Sequence, residues 1–210
     1  MKQSITRLTE SLKFQSKMDK NKLITFIENI VPIPRQKVEE IAAHFQEIEI
    51  KKTEFFIKQG RVCNNYLFLE NGFIRSYTFD LDGNDVTTEF YSNNQIVFEV
   101  GSFFQKTLSK ENFQALEDSD GWYIDFDQLN MLFHSIPEFR EFGRMILVKG
   151  FISFKQRALS LINESAEQRY ETLIKARPEI FQRAPLKYIA SYLGITDTSL
   201  SRIRRELAHK

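Results

Sequence analysis

The chain has 210 residues, a formal net charge of +1 and 27% charged residues, a composition typical of a globular protein with a sizeable core. Its apolar runs fall far short of the ~20 residues of a membrane helix, and its N-terminus lacks the apolar core of a signal peptide. Its one cysteine, Cys63, excludes an internal disulfide and a four-cysteine metal cluster within one chain. We therefore expect a cytoplasmic protein that has no contact with a membrane.

Basic residues gather near the C-terminus. From Arg183 to Lys210 there are six Lys or Arg and two Asp or Glu, a balance of +4 that leaves −3 for the rest of the chain. A near-neutral body with a basic end suggests that this end contacts nucleic acid. The alternative is a solvated helix face, because a few basic residues on a terminal helix need no partner.

The periodicity of the apolar residues divides the chain into segments. Residues 1–22 have no clear period and are expected to form a tail or a loose helix. Residues 23–135 open with a helical pattern and continue as short apolar stretches between Gly and Asn turns, at the ~8–12-residue spacing of antiparallel strands. We expect an antiparallel β-roll of the jelly-roll type here, with a last strand pair inside residues 112–124. The predicted fold class is α+β.

A long helix is predicted over residues 136–165, with Pro137 near its start. Apolar residues within it fall at a- and d-like heptad positions, with Lys155 as an interruption. These apolar residues are Met145, Val148, Ile152, Leu159 and Ile162. Such a seam favours pairing with a second copy of the chain, and therefore a homodimer. The alternative is a single amphipathic helix packed on its own domain.

Residues 166–210 contain the most informative pattern, which is that of a helix-turn-helix. Ala190 is the small residue that lets a second helix cross the first, and Gly194 suits a turn with left-handed φ. Thr196 or Asp197 can cap the second helix by accepting hydrogen bonds from its free amides. The apolar residues expected between the two helices are Ile189, Leu193, Ile195, Leu200 and Ile203.

The exposed residues of this second helix have the chemistry of a DNA reader. Short hydroxyl side chains precede Arg202 and Arg205, and an arginine can bind guanine through two hydrogen bonds in the major groove. Lys187, at the start of the first helix, is expected to hold a phosphate. The predicted DNA contacts are Lys187, Thr196, Thr198, Ser199, Ser201, Arg202 and Arg205. The alternative is a solvated helical hairpin with incidental arginines.

The chain from about residue 23 resembles the Crp/Fnr family of bacterial transcription regulators, relatives of the catabolite activator protein. The resemblance is carried by residues 71–77, 115–119, 167–170, 186–196 and 200–205, and the C-terminal motif is similar to the branch common in Bacteroidetes-type bacteria. It implies a β-roll of the cyclic-nucleotide-binding type, a dimerising helix and a C-terminal helix-turn-helix. The implied partners are a second copy of the chain, double-stranded DNA with a near-palindromic operator, and RNA polymerase.

Family members that bind cyclic AMP hold its phosphate with an arginine in a cassette of the β-roll. This chain has no arginine between Arg75 and Arg140, and Ser109 stands near the expected place. The lysines of this region lack the forked geometry of a guanidinium. We therefore predict no binding of cyclic AMP or cyclic GMP and no cofactor or metal, and the effector, if there is one, is unknown. The candidate pocket residues are Phe90, Phe98, Glu99, Ser102, Phe103, Phe104 and Asn112, unless their aromatic rings simply fill the roll.

Catalysis is not expected, and no catalytic residue is assigned. No histidine lies between His44 and His134, so the predicted strands offer no imidazole ligand to a metal. The sequence also lacks a Gly-rich phosphate loop and a nucleophile elbow. The remaining alternative to a DNA-binding regulator is a ligand-sensing β-roll that acts mainly through protein–protein contacts.

Overall fold

The computed structural model describes residues 18–208. Residues 1–17, most of the predicted N-terminal tail, lie outside the described residues. The first described helix, α1 (Lys20–Glu28), crosses the boundary predicted between residues 22 and 23. Asp19 caps α1 by accepting a hydrogen bond from the Asn21 amide. Helix α2 (Arg35–Ala43) follows where the helical period predicts it, and it packs against α1.

Within residues 18–208, eight antiparallel strands form two four-stranded sheets, which confirms the predicted β-roll. One sheet has the order β1-β8-β3-β6 and the other β2-β7-β4-β5. The strands are β1 (Gln46–Ile50), β2 (Phe55–Ile57), β3 (Asn65–Asn71), β4 (Ile74–Phe79), β5 (Asp85–Tyr91), β6 (Gln95–Val97), β7 (Asn112–Ala115) and β8 (Ser119–Asp125). A short helix, α3 (Val100–Gln105), lies between β6 and β7.

The main hydrophobic core contains residues of both sheets and of the helices that precede and follow the strands. β3 crosses it, and Leu67, Phe68 and Leu69 are completely buried. On the helix side, Phe68 packs against Phe26 of α1 with ring centroids 4.9 Å apart. Because β3 is covered on both faces, its apolar residues form a continuous run and do not alternate with polar ones.

Two helices follow the roll. α4 (Phe126–Ser135) is capped by Asp125, and α5 (Pro137–Asn163) is the long helix expected in this part of the chain. The two helices approach closely at Gly143, where a Cβ atom would lie 2.6 Å from the Phe133 ring. This contact anchors the first turns of α5 to the main core, whereas several apolar side chains of the later turns are exposed.

The C-terminal helices surround a second core. They are α6 (Ala166–Ala176), α7 (Pro178–Arg183), α8 (Leu186–Tyr192) and α9 (Asp197–Ala208). The second core also includes Phe73 and Phe90 of the β-roll, so the C-terminal helices and one face of the roll share it. Among the helices described, none combines the length and the apolar character needed to span a membrane.

Candidate nucleic-acid interface

Helices α8 and α9 form a helix-turn-helix. The turn runs from Leu193 to Thr196, and Gly194 changes the chain direction with a φ of +68°, a conformation that favours glycine. The Ile195 amide donates to the Ala190 carbonyl over 3.0 Å, which closes the turn. Ala190 is completely buried, as expected for the small residue between two closely packed helices.

Thr196 caps α9. Its hydroxyl oxygen accepts a hydrogen bond from the Ser199 amide over 3.2 Å and lies 3.0 Å from the Ser199 hydroxyl. Of the two caps that the sequence allows, the structure therefore selects Thr196 over Asp197. Both Thr196 and Ser199 were predicted as DNA contacts, and in the structure they also fix the start of the helix.

The outer face of α9 is exposed and positively charged. Leu200 and Ile203 are buried on its inner face. Its exposed side chains include Thr198, Ser201, Arg202, Arg204 and Arg205, and the acidic residues Asp197 and Glu206 are exposed as well. Within residues 18–208, none of these three arginines forms an ion pair with an acidic group. Their guanidinium groups are therefore available to phosphates or base edges.

Lys187, the predicted phosphate contact, is engaged by the β-roll. Its side chain is exposed, but its ammonium group lies 3.2 Å from a carboxylate oxygen of Asp85 on β5. Burial by itself would raise the pKa of Asp85, but its hydrogen bonds and charge interactions with Arg75 and Lys187 outweigh burial and lower that pKa. In this arrangement the ammonium group of Lys187 is paired with a carboxylate of the same chain, which Arg75 shares.

The structure separates the residues predicted to line an effector pocket. Phe90 lies in the second core, with its ring centroid 5.5 Å from that of Phe73 and 5.3 Å from that of Tyr192. Phe90 therefore faces the C-terminal helices, and its assignment to one pocket with the other six residues is corrected. The other predicted rings pack edge to face on one another: Phe98, Phe103 and Phe104.

The amides at the start of α3 are occupied by a carboxylate of the chain. Glu99 accepts hydrogen bonds from the amides of Gly101 and Ser102 over 3.0 and 2.6 Å. Burial raises the pKa of Glu111, and the negative charge of Glu99 adds to this effect. Two interacting carboxylates therefore stand in the region where the family resemblance implies a phosphate site.

The remaining polar residues predicted for the pocket serve the fold. The Ser102 hydroxyl accepts from the Cys63 amide and donates to the Thr107 carbonyl. The Asn112 side-chain carbonyl accepts from the Gln59 amide over 3.0 Å. No group of three or more His, Cys, Asp or Glu side chains in the described part of the chain is placed to hold a metal ion.

The exposed face of α5 differs from the predicted seam at its start. Met145 is partly buried against the main core, so it does not belong to this face. Phe151 is 66% exposed and was not predicted, although its spacing of three residues from Val148 is a helical signal. Five exposed apolar residues share one side of the helix, which we call the α5 apolar face: Val148, Phe151, Ile152, Leu159 and Ile162. Leu147, Phe154 and Leu161 of α5 are also exposed but lie outside this face.

Known proteins resemble both the sequence and the fold. Residues 47–135 match the family model of the cyclic nucleotide-binding domain. The chain is 28% identical over 167 residues to the fumarate and nitrate reduction regulatory protein of Yersinia pestis, covering 73% of this chain and 65% of that protein. The structure of FixK2 from Bradyrhizobium japonicum has a TM-score of 0.65 at 19% identity, covering 79% of this chain and 85% of the other. The catabolite activator protein of Thermus thermophilus has a TM-score of 0.56 at 15% identity, covering 88% and 87%.

The architecture defines a class of protein in which a cyclic-nucleotide-binding-type roll is joined through a long helix to a helix-turn-helix. The sequence relatives and the solved structures show that the chain is similar to regulators of the Crp/Fnr type and shares their fold, the type of protein that its C-terminal motif predicts. The aligned part of the chain spans 65% of the length of the curated relatives.

Proposed function

We propose that the chain is a transcription regulator that binds double-stranded DNA through the outer face of α9. The observation that carries the proposal is the set of exposed arginines on a capped helix, none of them paired with an acidic group among the described residues. An α-helix fits the major groove, and guanidinium groups bind guanine edges and phosphates through paired hydrogen bonds. The naming of its relatives as regulators supports the same role.

The α5 apolar face supports a dimer. Its five residues are between 38% and 82% exposed in the single chain, and a second copy of the same face would cover them. A two-fold axis along α5 would present two copies of α9 to half-sites about 34 Å apart, so the operator is near-palindromic. Regulation at such a site also implies RNA polymerase as a partner.

Selection of duplexes from a random-sequence pool, followed by fluorescence anisotropy, tests this function. We expect a near-palindromic site to be enriched, and its affinity to fall with salt by a slope of about 0.9 for each phosphate contact. Arg202→Ala should weaken binding, whereas Arg35→Ala removes the same charge from α2 and should not. The proposal fails if no sequence is enriched or if both variants bind like the wild type.

We further propose that the β-roll does not sense cyclic AMP or cyclic GMP. The Glu99 carboxylate already accepts the hydrogen bonds of the α3 amides. Lys106, a nearby cation, lies over the Phe126 ring with its ammonium group 3.5 Å from the ring centre. A phosphate buried without a paired cation is strongly disfavoured. Calorimetry with either nucleotide at millimolar concentration should show no binding, and micromolar affinity would contradict the proposal.

A further inference from the structure

The helix-turn-helix is docked on the β4–β5 hairpin of its own roll. The centre of this contact is Arg75 on β4, which is 1% exposed. Its Nε donates to the Thr87 hydroxyl over 2.8 Å, and its Nη1 lies 2.6 Å from the Asp85 carboxylate. On the other side, its guanidinium carbon lies 3.6 Å from the ring centre of Tyr188 on α8. A buried arginine of the roll is thus covered by the first helix of the helix-turn-helix.

Two polar groups of α8 complete the contact. The Ser191 hydroxyl accepts from the Thr87 amide over 3.1 Å and lies 2.8 Å from the Thr87 hydroxyl. Asp85 directs one carboxylate oxygen to Arg75 and the other to Lys187. We call these six side chains the docking network: Arg75, Asp85, Thr87, Lys187, Tyr188 and Ser191.

Further contacts hold the same arrangement from other helices. Arg157 of α5 donates to the Thr88 carbonyl over 2.9 Å and to the Tyr192 carbonyl over 3.0 Å, so one guanidinium joins α5, β5 and α8. Arg177, between α6 and α7, lies 2.7 Å from the Glu89 carboxylate. The docked state is therefore held by several independent interactions and not by the network alone.

The β4–β5 hairpin carries negative charge, and one of its carboxylates contacts the helix-turn-helix. Besides Asp85, it carries the exposed residues Asp80 and Asp82 near its tip. A phosphate that approaches Lys187 must displace the Asp85 carboxylate, because both anions use the same charge-assisted hydrogen bond.

We propose that the β4–β5 hairpin is an autoinhibitory element, in which Asp85 takes the place of a DNA phosphate at Lys187. The inference rests on the proposed DNA-binding function. In the docked state the lysine of α8 is already paired with Asp85 of the hairpin. Release of α8 from the docking network frees Lys187 from the Asp85 carboxylate. DNA and the hairpin are thus competitors for one surface of the helix-turn-helix.

Asp85→Asn tests the competition because it removes the charge and keeps an oxygen that can accept from Arg75. Binding of a random-sequence duplex pool and of the selected site is measured by anisotropy over a range of salt concentrations. Each freed lysine adds about 0.9 to the salt slope, so a dimer gains about 1.8. When the salt concentration falls from ~1 M to ~0.1 M, the affinity of the variant for DNA should therefore rise about eightfold more, for each freed lysine, than the affinity of the wild type rises.

Three further variants separate docking from general charge. Asp82→Asn removes the same charge from the same hairpin without touching α8, and it should change the salt slope little. Ser191→Ala breaks the hydrogen bonds to Thr87 without changing any charge, and it should also tighten binding. Lys187→Gln combined with Asp85→Asn should abolish the gain in slope. Circular dichroism and melting curves establish that each variant is folded.

The possible outcomes distinguish the two proposals. If the wild type binds DNA but Asp85→Asn binds no more tightly, the hairpin does not inhibit and the inference is wrong. An equal gain in Asp82→Asn would attribute the effect to general charge and would likewise overturn it. If Asp85→Asn binds and the wild type does not, both proposals are supported. If neither binds any duplex, the DNA-binding function fails and the inference fails with it.

Discussion

Ile152→Asp should convert the proposed dimer into a monomer. Ile152 lies in the middle of the α5 apolar face and is 49% exposed in the single chain. Complete burial of an isoleucine side chain stabilises by about 1.5–3 kcal/mol, so covering the exposed half contributes about 1 kcal/mol per chain. Symmetry doubles the loss to about 2 kcal/mol, which corresponds to about a 30-fold rise in the dimer dissociation constant.

The new carboxylates add to this loss. Two of them would face each other across a seam of apolar side chains, where an unpaired charge is strongly disfavoured. Lys155, one turn further along the helix, offsets part of that charge, so the apolar term alone is the lower limit of the effect.

Sedimentation velocity at micromolar concentration measures the change in mass. Ser153→Asp is the matched control, because it places the same charge at an exposed position of α5 outside the apolar face. This control should remain dimeric, and both variants should retain the circular dichroism of the wild type. If Ile152→Asp sediments like the wild type, the α5 apolar face is not the dimer interface.

Three other substitutions test separate parts of the structure. Arg202→Ala should weaken the binding free energy for the selected site by about 1–3 kcal/mol and relax the preference at one base pair. Anisotropy on a set of site variants measures both effects, and equal losses on every sequence would argue against a base contact. Burial raises the pKa of Glu111, so its charged form lowers stability at neutral pH. Glu111→Gln should therefore raise the melting temperature at neutral pH, and the gain should vanish below the usual pKa of a glutamic acid; a gain that persists there would contradict this reasoning. Gly194→Ala should lower the free energy of unfolding in urea by about 1–2 kcal/mol, because the φ of Gly194 is +68°. Gly150→Ala, at an open position of α5, should raise it by about 0.5–1 kcal/mol. Losses in both variants would implicate helix packing instead of φ.

The sequence predicts the sheets because short apolar stretches are separated by turns that carry a recognisable glycine or asparagine. Gly83, between β4 and β5, has a φ of +83°, as the Asp-Gly-Asn turn predicts. The helix-turn-helix is predictable for a similar reason: its small residue, its turn glycine and its cap stand within a few residues of one another. Patterns of this kind depend only on residues that are close together in the chain, so the sequence alone reveals them.

The pairing of distant elements is not predictable from such patterns. Thr87 and Ser191 are 104 residues apart, and nothing in the periodicity of either segment indicates that they meet. Periodicity shows which residues share a face but not what covers that face. Phe90 was therefore assigned to the wrong side of the roll, and Met145 to a seam that begins one turn later.

Because Phe73 and Phe90 of the roll belong to the second core, the roll and the C-terminal helices cannot be separated without exposing buried residues. A fragment that ends after α5 would uncover both rings, which are completely buried in the intact chain, together with the guanidinium of Arg75. Such a fragment would carry an apolar patch prone to aggregation, and α6–α9 alone would lack part of their interior. Grafting these four helices onto another roll would accordingly require a matching aromatic surface on the recipient.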